Sequence, residues 1–217
     1  MQPLHIFEPR YCEMLSESLA ADHLIAMSTL TGGIAATAQH APPVASTVCL
    51  GKIISHAEVE DDRHNILLVG IRRAKIIREV DAGRPFRIAE VKIDEDIYPP
   101  SGAESRLSLK TKLLEAFAEI IPVSASVQKN LHELMAGQMG LGPITDIISY
   151  TLPFDCEAKL KLLAEPDVDI RARELIALLQ SGTIELHSVS VEEQSLDEQM
   201  SSDRASDERF PPPFSVN

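Results

Sequence analysis

Tryptophan is absent from the 217 residues, and aromatic residues make up only 4% of them. Such a chain offers no row of rings on which unpaired bases could stack. Its core has to be built from Leu, Ile, Val and Ala. Cysteine is scarce as well: Cys12, Cys49 and Cys156 lie far apart, with no C-x-x-C pair. That gives no support to a zinc ribbon or a redox motif, and an odd, sparse set fits a reducing compartment. No apolar run approaches the roughly 20 residues that span a bilayer. Nor does the stretch from Met1 to Arg10 show the basic-then-apolar pattern of a secretory signal. A cytoplasmic location with no membrane partner is expected. Positive charge is in deficit, with 20 Lys and Arg against 33 Asp and Glu and a formal net charge of −13. That field repels polyphosphates and argues against nucleic acid.

Chemistry-bearing motifs are also missing. There is no G-x-x-x-x-G-K-[ST] phosphate cradle and no G-x-S-x-G elbow. Gly137, Gly140 and Gly142 have the wrong spacing for a nucleotide loop and read as a break between helices. Ser126 and Lys129 match S-x-x-K, but the S-D-N and K-T-G companions are absent, and Ser126 suits a helix's first turn. His5, His23, His40, His56, His64, His132 and His187 show no H-x-x-x-H or H-E-x-x-H spacing. Glu60, Asp61 and Asp62 lack the spacing of a calcium loop. No catalytic residue, metal or cofactor is expected.

What the chain does have is 44% hydrophobic residues in two kinds of pattern. Leu4 to Phe7 ends a short strand, and Pro9 suits the first turn of an amphipathic helix over 9–21. His23 to Leu30 reads as a buried strand, followed by a loop to about Ser46. Short strands follow at Val48 to Val59, Asn65 to Ile71, Ala74 to Val80 and Phe86 to Ile93, with turns at Glu60–Asp62 and Asp81–Pro85. Strands so short and close favour an antiparallel, curled sheet. After Pro99 and Pro100 the period becomes helical. A stripe of Leu107, Leu114, Phe117 and Ile121, joined by Leu113 and Ile120, marks a helix over 103–121. Ser124 caps a second helix carrying Val127, Leu131, Leu134 and Met135. Pro143 opens a third, and Asp155 and Asp167 cap the fourth and fifth. Residues 185–209 are rich in Glu, Asp, Ser and Gln, and cannot bury enough apolar area to offset their ordering entropy. The expectation is an α+β fold: a β subdomain over 1–100, a helical subdomain over 101–181 and a disordered acidic tail over 182–217. In that tail Phe210 to Phe214 has the look of a short docking motif.

The opening segment Pro3-Leu4-His5-Ile6-Phe7-Glu8-Pro9-Arg10-Tyr11 resembles the signature of the Lon protease N-terminal, substrate-binding domain family. In the same order, Leu24-Ile25-Ala26-Met27, Leu50-Gly51-Lys52-Ile53, Asn65-Ile66-Leu67-Leu68-Val69-Gly70 and Arg73-Ala74-Lys75-Ile76 resemble its strands. Ile148-Ser149-Tyr150-Thr151-Leu152-Pro153 and Lys159-Leu160-Lys161-Leu162-Leu163 resemble its helical half. Ala74 stands where the family usually has Phe, so that packing position is smaller. The family usually begins with a further strand of the form Leu-Pro-Leu-Phe-Pro-Leu, not found ahead of this segment. If the sheet lacks it, an edge or apolar strip is left for a second chain or a bound peptide to cover. The resemblance implies a PUA-like β pseudo-barrel followed by a helical bundle, and a non-catalytic module for unfolded or extended polypeptides. An adaptor role in protein quality control and a homodimer through the open edge belong to the same expectation. Pro3, Leu4, His5, Phe7, Glu8, Arg10 and Tyr11 are the candidate interaction residues. Within them Glu8 and Arg10 are expected to form a buried pair, and His5 to bond a loop carbonyl.

Two other readings stand beside it. PUA domains bind RNA, and Arg72, Arg73, Lys75, Arg78, Arg84 and Arg87 form the one basic cluster. A small-ligand site in the barrel, by analogy with the related domain of cereblon, is the other. That analogy lacks cysteine pairs and Trp here.

Overall fold

The computed structural model describes residues 1–31, 42–120, 137 and 139–181. The predicted second helix, with Val127 to Met135 and the Ser126–Lys129 pair, and the acidic tail lie outside the described residues. So does most of the loop before Ser46.

The first half forms a five-stranded antiparallel sheet. Its strands are β1 (Gln2–Ile6), β2 (Leu24–Met27), β3 (Thr47–Val59), β4 (Arg63–Val80) and β5 (Ile88–Asp94). The path runs β1-β4-β3-β2, and β5 also pairs with β4. Helix α1 (Pro9–Ala20) joins β1 to β2, starting at a proline as expected. The two strands anticipated at 65–71 and 74–80 are one. β4 runs unbroken through Arg72 and Arg73 because it changes neighbours there: β1 pairs with its residues 64–68 and β5 with 73–80. The polar pair that looked like a break is the crossing point between two partners. The β3–β4 turn carries Asp61 at φ 62° and Asp62 at φ 54°. Left-handed residues match the twist of a tight hairpin, and Asp tolerates them better than most side chains.

The β3–β4 register shifts twice, at Leu50/Gly51, where β4 carries the extra residue Ile71, and at Ile53/Ser55, where β3 carries Ile54; each bulge changes which face the following side chains take. Val48, Leu50 and Ala74 form one buried cluster, backed by Ile76 and Val91. Ala74 is fully buried there, in keeping with its small side chain. Beyond the bulge Leu15 of α1, Ile25, Ile53, Ile66 and Leu68 form another. Gly51 is needed at the transition, since a Cβ there would stand 2.5–2.6 Å from the Leu68 side chain. Among the described strands no pairing joins β1 to β2, so the sheet is open. On that side α1 reaches the β4–β5 hairpin by side chains, with Arg84 paired to Glu17 at 2.7 Å and to Glu13 at 3.5 Å.

The second half contains α2 (Arg106–Ile120), α3 (Leu141–Thr151), α4 (Cys156–Ala164) and α5 (Val168–Gln180). Asp155 caps α4 by accepting from the Ala158 N–H, and Asp167 caps α5 by accepting from Asp169 and Ile170. Leu113, Phe117, Ile144, Ile148, Leu162, Val168 and Leu175 share its core. Leu107 departs from the expected stripe. It sits in the first turn of α2, 74% exposed, and Leu113, Ala116 and Phe117 make the buried face.

The two halves meet through charge. Arg73 of β4 donates to the Leu163 carbonyl at 3.0 Å, to Asp96, and to Asp146 of α3 at 3.2 Å. Arg171 of α5, 1% exposed, donates to both Asp96 oxygens at 3.0 Å, to Thr145 at 2.8 Å and to the Glu165 carbonyl at 2.8 Å. Gly142 leaves room for this group, since a Cβ there would collide with Asp96 and the Tyr98 hydroxyl. The strap after β5 is also held by backbone: Ile97 N–H donates to the Pro166 carbonyl, and Val168 N–H to Ile97.

Removing one partner of a buried pair strands the other, at a cost of about 3–5 kcal/mol. Arg171→Ala is expected to lower the unfolding free energy in urea by about that much. Burial alone would raise the Asp96 carboxyl, but hydrogen bonds and charge from Arg171 and Arg73 outweigh it and hold the group below its ordinary value. A depressed carboxylate contributes stability above its unfolded pKa, about 3.9, and loses it as pH falls through the lower folded value. The stability gap between the wild type and Asp96→Asn should therefore hold between pH 6 and about pH 4, and close as urea titrations are taken below about pH 4.

Candidate functional site

Alternation along the opening strand decides which candidate residues can touch a partner. Leu4 and Ile6 point inward and pack on the Leu15 cluster. The odd-numbered residues take the other face. Pro3 stands opposite Leu67 and His5 opposite Asn65. The same β4 residues face Ser55 and Ala57 of β3. Phe7, just past the strand, is 61% exposed and its ring lies 5.8 Å from that of His5. Met1, 73% exposed, is held at the other end, where the Tyr150 hydroxyl of α3 donates to its carbonyl at 2.7 Å. Tyr150 is itself 55% exposed. Strand β1 thus presents a line of exposed apolar and ring side chains at one end of the sheet order.

The His5 Nδ1 meets the Asn65 side-chain oxygen at 2.7 Å, on the neighbouring strand. One expectation about the motif needs correction. Glu8 and Arg10 do pair, at 2.7 Å, but their side chains keep 42% and 50% of their exposure. Glu8 occupies the N-cap position of α1 without a side-chain cap. Its carboxylate turns to Arg10 instead, whose guanidinium lies 4.5 Å from the Tyr11 ring centre. The result is an exposed Glu8–Arg10–Tyr11 edge beside Phe7. Tyr150 and Asn65 were not among the expected site residues. Tyr150 lies off the apolar stripe of its helix, which buries Ile144 and Ile148. No periodicity points to it.

The basic cluster is largely neutralised. Arg73 faces Asp96 and Asp146, Lys75 faces Asp94, Arg78 faces Glu90, Arg84 faces Glu13 and Glu17, and Arg87 faces Glu79. Arg72 bonds the Ile71 carbonyl. An open hollow of about 550 Å³ lies between Pro43–Ser46, Ile76 and the Glu79–Arg87 pair. No group of three or more His, Cys, Asp or Glu side chains able to hold a metal ion occurs among the described residues. Among the same residues no helix is long and apolar enough to cross a membrane.

A family model, the ATP-dependent protease La (LON) substrate-binding domain, matches residues 1–181. The chain belongs to that family. It is a family of substrate-binding domains, and the match takes in the whole sheet and the described helices. Solved structures share the fold. A Lon N-terminal domain protein from Xanthomonas campestris aligns with a TM-score of 0.55 at 18% identity, covering 81% of this chain and 88% of that one. The N-terminal domain of a Mycobacterium avium complex Lon protease aligns with a TM-score of 0.62 at 15% identity, covering 83% and 91%. No curated protein matches.

An exposed ion pair is worth at most about 1 kcal/mol. Glu8→Gln is therefore expected to lower the unfolding free energy measured in urea by no more than that, whereas loss of a partner from a buried pair would cost several times as much.

Proposed function

We propose that this chain is a non-catalytic polypeptide-binding module that takes unfolded or extended segments at the β1 end of its sheet. Membership of a substrate-binding family supports the class of function. The observation that carries the site is the exposed row of Met1, His5 and Phe7 with Tyr150 beside it. A terminal strand can accept an extended segment through its backbone, with apolar side chains supplying contacts on alternate positions. Aromatic side chains give large contact area for little conformational cost.

The reading keeps the division at about residue 100 into a β part, which we take as a PUA-like pseudo-barrel, and a helical part ending near 181. The side-chain bridge from Arg84 to α1 supports a curl of that kind. It also keeps an adaptor role in cytoplasmic quality control, and pairing of two copies through the same edge as a competitor for the bound segment. Carboxylates facing the basic cluster weigh against RNA.

Binding is tested by fluorescence anisotropy with a labelled, permanently unfolded polypeptide. Phe7→Asp is expected to weaken it about tenfold, equivalent to about 1.4 kcal/mol, with the urea midpoint unchanged. Equal affinity of wild type and Phe7→Asp would remove this surface from the reading. Absence of binding by the wild type at high concentration would remove the function.

A further inference from the structure

The seven histidines are scattered in sequence, but the β3–β4 hairpin brings two of them together. His64 pairs across the strands with Glu58 and with Ile6 of β1, while His56 stands opposite Ile66. His56 and His64 are therefore diagonal neighbours on one face, which strand twist draws close. Nε2 of His56 lies 3.1 Å from Nδ1 of His64, and the ring centres are 5.1 Å apart.

We propose that His56 and His64 form a two-imidazole site for a late first-row divalent cation, zinc above all, completed by water. Two nitrogens 3.1 Å apart, each at the usual 2.0–2.1 Å from zinc, subtend an angle of roughly 95–100° at the ion. That lies between octahedral and tetrahedral values, so the separation suits two neighbouring ligands of one ion. Imidazole is a ligand such ions prefer. Glu58, directly opposite His64 on the facing strand, adds negative charge beside the pair. Both rings belong to the hairpin that pairs with β1, so a bound ion would pin the strand next to Ile6 at the point where the chain turns into α1.

The site stands apart from the polypeptide reading and is tested on the full chain with zinc chloride alone, by calorimetric titration and by thermal unfolding. The expected result is a single bound ion that raises the unfolding temperature. His56→Ala and His64→Ala should each weaken binding by more than about tenfold, since even supporting residues of metal sites cost that much. His187→Ala should leave it intact. His56→Gln, polar and suited to an exposed position, serves as a second variant if an alanine form folds poorly. No heat with the wild type would overturn the proposal, leaving a pair that shares only a proton. Affinity that survives loss of either ring would overturn it as well.

Discussion

Arg73 and Arg171 closing on Asp96 is the contact through which the sheet and the helices become one structure. The buried apolar residues of the described chain fall into separate clusters, two in the sheet and one among the helices. Burying two guanidinium groups is costly unless nearly every donor is used. Here the requirement is met from all sides. Asp96 comes from the strap after β5, Asp146 and Thr145 from α3, and the carbonyls of Leu163 and Glu165 from the C-terminal end of α4. A fixed set of partners in a fixed geometry aligns the halves more narrowly than apolar contact alone, which tolerates sliding. Arg106, bidentate to Asp169 at 2.8 Å, repeats the device at the start of α2.

With the halves aligned, the sheet can afford irregularity. The bulges, one in each strand of the β3–β4 pair, let two long strands serve two cores, facing α1 at one end and the Val48 cluster at the other. β4 is long enough to take β1 and β5 in succession along one side. The price of that arrangement is a strand, β1, that holds its place by few residues: Leu4 and Ile6 inward, the backbone ladder to residues 64–68, and the Tyr150 hydroxyl at Met1.

Legibility in the sequence followed how local each cause is. Helix starts could be read because proline and aspartate act within one turn: Pro9, Asp155 and Asp167 each stand where expected. Strand existence could be read from apolar runs, but not the unity of β4, because its polar centre is explained only by two partners far away in the chain. The ionic joint was invisible for the same reason. Arg73, Asp96, Asp146 and Arg171 are widely spaced, and each looks like an ordinary surface charge. Arg73 stands within the one basic cluster of the sequence, and nothing local to it marks it as buried. The opening motif was legible as a unit, yet its division into inward and outward residues rested on register. Glu8 and Arg10 were misjudged because proximity in sequence says nothing about burial.

That division bears on what the surface can do. Leu4 and Ile6 are committed to the core, so the period of two leaves Pro3, His5 and Phe7 no inward alternative. A one-residue slip of β1 would exchange the two sets and expose the core. The ladder and the His5–Asn65 bond at 2.7 Å both oppose such a slip. Phe7 is thus held outward by the same packing that sets Ile6 against the Leu15 cluster. A side chain fixed in this way loses little freedom when a partner covers it, and that is the condition under which an exposed ring contributes most to binding. The hairpin behind β1 sets the register on its other side, through His64 opposite Ile6. Whatever stiffens the hairpin at His56 and His64 also stiffens the strand that presents Phe7.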